Sequence, residues 1–234
     1  MPTAAELRQL ARDRSPFDRE KTEGILADHF TTVQRRLRIA LDRWPELSHE
    51  AVLDVGCSYG HCLAHFGPGS VGIDSNPQHV AFCGALGLDA RVIDANQPEG
   101  LEVASFDTIW LCDVLEHLDA PRSALRTLRS ILKPQGRILV FLTLAPALRP
   151  ARAIMRRVDG SFEAHAHHYQ FTFDTARYLI ERAGFRVTAA VPAMPLTRRT
   201  TTRLYFEARP DEAFERIAAH AELRNVGGAT RPPL

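Results

Sequence analysis

Ala51-Val52-Leu53-Asp54-Val55-Gly56-Cys57-Ser58-Tyr59-Gly60 is the stretch whose reading decides the fold. Its apolar half, Ala51 to Val55, suits a parallel strand buried on both faces. Gly56 and Gly60 then allow a sharp turn and a close approach of backbone to a ligand. His61 to Phe66 reads as the start of a helix whose unpaired N–H groups can meet a polar group. A second apolar run, Ser70-Val71-Gly72-Ile73, closes on an acid, Asp74. Strand, glycine turn, helix, strand and acid form a nucleoside-binding layout.

Downstream the same rhythm continues. His79 to Leu86 predicts a helix with Gly87 just after it, and Ala90 to Asp94 a short strand. Phe106 to Cys112 is a further strand. Asp119 is expected to cap a helix from Pro121 to Leu132, with Leu125, Leu128, Ile131 and Leu132 facing the core. Lys133-Pro134-Gln135-Gly136 carries turn chemistry, and Arg137 to Thr143 reads as a central, wholly buried strand. Thr172 caps a helix from Phe173 to Ala183 that stops at Gly184. Phe185 to Val191 and Arg203 to Ala208 are two last strands, and Asp211 to Leu223 a last helix. The expected fold is therefore α/β: a Rossmann-like, doubly wound, mostly parallel seven-stranded sheet with helices on both faces.

Upstream, Thr3-Ala4-Ala5-Glu6 is a capping box for a helix to about Asp13, and Ser15-Pro16 breaks it. A longer helix, Arg19 to Arg43, has an apolar stripe at helical period through Ile25, Leu26, Phe30, Leu37 and Ala40. Residues 1–48 are thus an N-terminal helical extension that either packs as an extra layer or covers a pocket. Residues 49–210 form the core, with an insertion or lid at about 145–170. Residues 211–234 add a helix and a loose tail rich in glycine and proline.

The 234 residues carry a net charge of only +1, which gives no global case for binding nucleic acid. The four cysteines form no CxxC pair and read as ordinary buried thiols. No apolar signal core opens the chain, and no run of about 18 apolar residues spans a membrane. The expectation is a cytoplasmic protein.

In these motifs the chain resembles the class I S-adenosylmethionine-dependent methyltransferases, in their small-molecule branch. The resemblance rests on Leu53 to Gly60, Gly72-Ile73-Asp74, Asp94-Ala95, Phe106-Asp107 through Leu115-Glu116-His117-Leu118, Leu132 to Gly136, and Phe171 through Phe185. It implies S-adenosylmethionine as cofactor. Gly56 and Gly60, with Cys57 and Ser58 between them, would form the turn under the methionine part, with Asp54 near the amino group. Asp74 would hold the ribose hydroxyls, next to Ser75. Asp94 would accept from the adenine amino group, with Ala95 presenting its N–H. Leu111 and Cys112 would line the sulfur. Ser58 stands where the family has a glycine, and Gln135 where it usually has a second one.

Methyl transfer to a hydroxyl requires an aligned acceptor and a base. Glu116, His117, His165 and His167 are the candidates for that duty, though a structural hydrogen bond is the commoner role for a residue such as His117. The Glu116-His117 pair resembles the ubiquinone-biosynthesis O-methyltransferases, which implies Asp113, Glu116 and His117 as ligands of a divalent metal such as Mg; the same pattern also occurs in this branch without a metal. The expected partner is a small-molecule acceptor such as a sugar, phenol or natural-product intermediate, with no nucleic acid and no membrane, and a homodimer is possible. Two other classes stay open. A nicotinamide-dependent dehydrogenase is disfavoured because the turn lacks the third glycine of Gly-x-Gly-x-x-Gly. A methyltransferase-like binding module without turnover would keep the same cofactor residues.

Overall fold

The computed structural model describes residues 3–98, 100–145, 167–192 and 203–214. Seven strands run as β1 Val52–Val55, β2 Val71–Asp74, β3 Ala90–Val92, β4 Phe106–Cys112, β5 Leu132–Thr143, β6 Phe185–Pro192 and β7 Arg203–Pro210. Among the described residues, five α-helices accompany them: α1 Ala4–Arg14, α2 Arg19–Arg43, α3 Pro77–Ala85, α4 Pro121–Ile131 and α5 Phe173–Arg182. The strand order is β3-β2-β1-β4-β5-β7-β6. β1 to β5 are parallel neighbours, and β7 is antiparallel to both β5 and β6. Strand order reverses beside β1, so a crevice opens at the carboxyl ends of β1 and β4.

Alternation along the central strands sorts the core into two layers. Ile109, Leu111, Ile138 and Val140 pack on one face with Leu125 and Leu128 of α4 and Ile180 of α5. Trp110, Leu139, Phe141 and Tyr205 point to the other face, where Leu37 and Ala40 of α2 cover them with Trp44 and Leu47. The N-terminal extension is therefore a structural layer of the sheet. Further along, Leu7, Ile25, Leu26 and Phe30 close over Phe82 and Leu86 near α3.

Four local expectations are corrected. His61 to Phe66 is no α-helix: only the 3-10 turn Leu63–His65 forms there. Gly67-Pro68-Gly69 follows too soon for a helix to nucleate and propagate. Lys133 to Gly136 is not a tight turn but the outward bow of β5. Phe106 pairs with Leu132 and Thr108 with Arg137, so β4 advances by two residues while β5 advances by five. The Nζ of Lys133 holds both carboxylate oxygens of Asp107, at 2.8 and 2.9 Å, and that carboxylate accepts from the N–H of Ala51. Leu132 accordingly opens β5 rather than ending α4. Asp119 does not cap α4. The N-cap is Ala120, with no side-chain bond, and Asp119 is taken by partners from beyond the insertion.

Thr3 and Thr172 cap α1 and α5 as the sequence implied. The four cysteines are free, and Cys57, Cys62 and Cys83 are buried. Among the described residues no helix is long and apolar enough to cross a membrane. Most of the expected insertion, including Arg149, Arg152, Arg156, Arg157 and His165, lies outside the described residues, as does nearly all of the expected last helix.

Candidate active site

A cleft of about 270 Å³ lies at the carboxyl ends of β1, β2, β3 and β4. Gly56 follows β1; Ile73 and Asp74 end β2, with Ser75 just after; Ile93, Asp94, Ala95 and Asn96 follow β3; and Asp113, Val114, His117 and Leu118 follow β4. The glycine turn is drawn across to β2, because the N–H groups of Gly56 and Cys57 both donate to the carbonyl of Ile73 at 2.8 and 3.0 Å. Gly56 sits at φ +68°, and a Cβ there would meet Val114 at 2.8 Å, so the turn admits only glycine without displacement. Ser58 also takes a positive φ, +50°, and its N–H donates to Oδ2 of Asp74 at 2.9 Å.

Asp74 is the hub of this wall. Its Oδ1 accepts from the N–H of Asn76 at 2.8 Å and from Nδ1 of His79 at 3.1 Å. Burial pushes its carboxyl pKa up, but the bonds from His79, Asn76 and Ser58 outweigh this and hold it below the usual value. Asp94 is more exposed. Its Oδ1 accepts the N–H and side-chain amide of Asn96, at 2.8 and 3.1 Å, in an Asx turn that fixes the carboxylate at the cleft.

Several residues named from the sequence sit behind the cleft and not on it. Asp54 is buried in β1, with its Oδ2 unpartnered among the described residues, and burial pushes its pKa well up. Cys57 and Leu111 are core residues. Gly60, at φ +76°, packs on Cys83 and Leu88, where a Cβ would meet their side chains at 2.9 and 2.7 Å. Cys112 is half-buried beside the cleft wall.

After β4 the chain enters a 3-10 turn, Leu115–His117. Asp113 opens this segment at φ +53°, and its carboxylate is bound by the guanidinium of Arg36 from α2. Arg36 in turn lies over the ring of Phe141 at 4.9 Å, and its carbonyl accepts from the hydroxyl of Tyr205. Glu116 is 4% exposed, and its Oε2 has no partner among the described residues. Burial pushes its pKa up to about 7. The carbonyl of Glu116 accepts from the N–H groups of His168 and Tyr169 at 2.8 and 3.2 Å, so the segment after the insertion is pinned to this turn.

That pinning brings His167 against His117, ring centroids 4.6 Å apart and nearly edge-on. Side-chain ligand atoms of Glu116, His117 and His167 all lie within 4.8 Å of one another. Burial, then the neighbouring His117, lowers the pKa of His167. His168 pairs through Nδ1 with Asp119 at 3.0 Å, the Tyr169 hydroxyl donates to the carbonyl of Asp119, and the Asp119 N–H donates to Asn96. The loops after β3 and β4 are thereby joined.

A family model described as a methyltransferase domain matches residues 28–190. The chain belongs to the methyltransferase domain family. A ubiquinone biosynthesis O-methyltransferase from Ralstonia nicotianae is 30% identical over 156 residues, covering 62% of this chain and 64% of that protein. A tRNA U34 carboxymethyltransferase from Saccharophagus degradans is 32% identical over 108 residues, covering 40% of this chain and 32% of that protein. The chain thus spans between about a third and two thirds of these curated relatives. A solved S-adenosylmethionine-dependent methyltransferase from Thermotoga maritima, described as a possible histamine N-methyltransferase, superposes with a TM-score of 0.64. It is 14% identical and covers 82% of this chain and 96% of that one, which speaks to the fold. The match to this family agrees with the seven-stranded Rossmann-like sheet and the cleft at its switch point.

Residues that sequence reasoning passed over are Ile73, Ile93, Asn96, Val114 and Leu118 on the cleft, and Arg36 and His79 behind it. Val114 and Leu118 lie inside a motif that was quoted, and their apolar character signalled only core. Arg36 lies 77 residues from Asp113, and nothing local in the sequence joins them.

Proposed function

We propose that this methyltransferase transfers the methyl group of S-adenosylmethionine to a hydroxyl of a small-molecule acceptor. The observation that carries this reading is the cleft itself: one wall offers Asp74 and Asp94 as acceptors, and the opposite rim ends in His117, beside Glu116 and His167. Asp74 suits a ribose diol and Asp94 an adenine amino group, since a carboxylate is an acceptor only. Gly56, with no side chain, gives the methionine part its close approach. The acceptor oxygen attacks the methyl carbon in line as the carbon–sulfur bond breaks. The sulfonium leaves as a neutral thioether, and the hydroxyl proton passes to a base. His117, facing the cleft, takes that proton; Glu116 and His167 orient it and share its charge.

A dinucleotide reading is not supported. A pyrophosphate is held by a helix N-terminus after the first glycine turn, and here only the turn Leu63–His65 follows. A small acceptor fits the net charge of +1 better than a polyanion does.

A second reading adds a divalent cation. Asp113, Glu116 and His117 do not fit one together, because Arg36 has claimed Asp113. Glu116, His117 and His167 do fit, with an unpartnered buried carboxylate oxygen among three clustered ligands. A bound cation would supply positive charge beside the acceptor oxygen.

The test is transfer of a labelled methyl group to a panel of phenols, sugars and amines, with and without chelator. Turnover on hydroxyl acceptors, falling about a hundredfold or more in His117→Ala, is expected. Unchanged turnover in that variant removes His117 as the base, and turnover confined to amines removes the hydroxyl acceptor. Loss of activity on chelation, restored by added metal, selects the second reading.

A further inference from the structure

The carboxylate of Asp74 already serves three donors: the N–H groups of Ser58 and Asn76, and Nδ1 of His79. A carboxylate has about four lone-pair sites, and a ribose diol brings two more donors. One donor therefore has to leave when the cofactor arrives. The two backbone N–H groups belong to the glycine turn and the entry to α3, and they cannot swing away. The contact from His79 is the longest of the three at 3.1 Å, and its side chain is 23% exposed, with solvent to rotate into. Nδ1 must carry the proton in this contact, because a carboxylate only accepts.

We infer that His79 is a cofactor-site residue of a particular kind: a displaceable donor that holds Asp74 in the free protein and yields its place to the ribose hydroxyls. This rests on the reading of Asp74 as the ribose acceptor. His79 lies in the first turn of α3 and packs against Tyr59 of the glycine turn, ring centroids 4.4 Å apart. Tyr59 is itself edge-on to His29 of α2 at 4.9 Å. The titratable groups facing His79 are therefore Asp74 from β2, Tyr59 from the turn and His29 from α2. Of these only Asp74 is an anion at neutral pH and bonds it directly. The hydrogen bond from His79 is therefore the one the ribose hydroxyls have to replace, and removing its donor removes that cost from cofactor binding.

Calorimetry with S-adenosylhomocysteine tests this on the wild type, His79→Gln, His79→Leu and Asp74→Asn. His79→Leu keeps bulk against Tyr59 with no donor, His79→Gln keeps a donor, and His79→Ala serves if His79→Leu folds poorly. The donor-free variants are expected to bind about fivefold or more tighter than the wild type, the net worth of the hydrogen bond that no longer has to be displaced, and His79→Gln to bind like the wild type. A donor-free variant that binds like the wild type, or more weakly, overturns the inference. Asp74→Asn separates the two claims. It should bind poorly, and binding like the wild type would remove the ribose reading itself.

Discussion

At the scale of single residues, the active-site region concentrates groups held away from their ordinary states. Glu116 has its pKa raised from 4.5 to about 7 by burial. The sign follows from proton counting. Between these values the folded chain keeps a proton that the unfolded chain has lost, so stability falls as pH rises through this window and is recovered below it. The slope amounts to on the order of 3 kcal/mol across the window. Denaturant melts of Glu116→Gln should lose that part of the pH dependence; a slope identical to wild type would mean Glu116 does not titrate in the fold. Gly56→Ala makes a sharper demand. Its Cβ meets Val114 at 2.8 Å at a positive φ, so a loss of about 1–3 kcal/mol and of cofactor binding is expected by thermal shift and calorimetry. Arg36 is the cation bound directly to Asp113, and Arg36→Ala should cost about 1–3 kcal/mol in the same melts by removing the donor to a half-buried carboxylate.

At the scale of elements, α2 does two jobs at once. It covers Trp110, Phe141 and Tyr205 on one face of the sheet, and through Arg36 it reaches the cleft wall at Asp113. Removing residues 1–48 should therefore expose a continuous aromatic face and yield aggregated protein by light scattering; a monomeric, folded product would show that the extension is dispensable. The amphipathic period of α2 was legible in its sequence, but its reach to Asp113 was not, because that pair joins residues far apart in the chain. The same split recurs elsewhere. β1, the glycine turn and Asp74 could be read because each is a local signal at the end of a buried strand. Lys133 to Gly136 misled because its turn chemistry is local, whereas the pairing of Leu132 with Phe106, and Lys133 with Asp107, is not. Asp119 looked like a helix cap until His168 and Tyr169, about fifty residues onward, claimed it. Local rules located the wall of the cleft at β1, β2 and β3, and long-range partners shaped the opposite rim at Asp113, Glu116 and Asp119.

At the scale of the whole molecule, the sheet sets the order of events. Its switch point places the cleft, and the segment after the insertion, tied to Glu116, brings His167 beside His117 at the far rim. Membership of the methyltransferase domain family and the acids at the ends of β2 and β3 both point to one donor molecule. The measurement that tests this most directly is calorimetric titration of the intact chain with S-adenosylhomocysteine and, separately, with NAD, repeated on Asp74→Ala. One site for S-adenosylhomocysteine, none for NAD, and loss of binding in Asp74→Ala are predicted. Binding of NAD without S-adenosylhomocysteine would contradict the account.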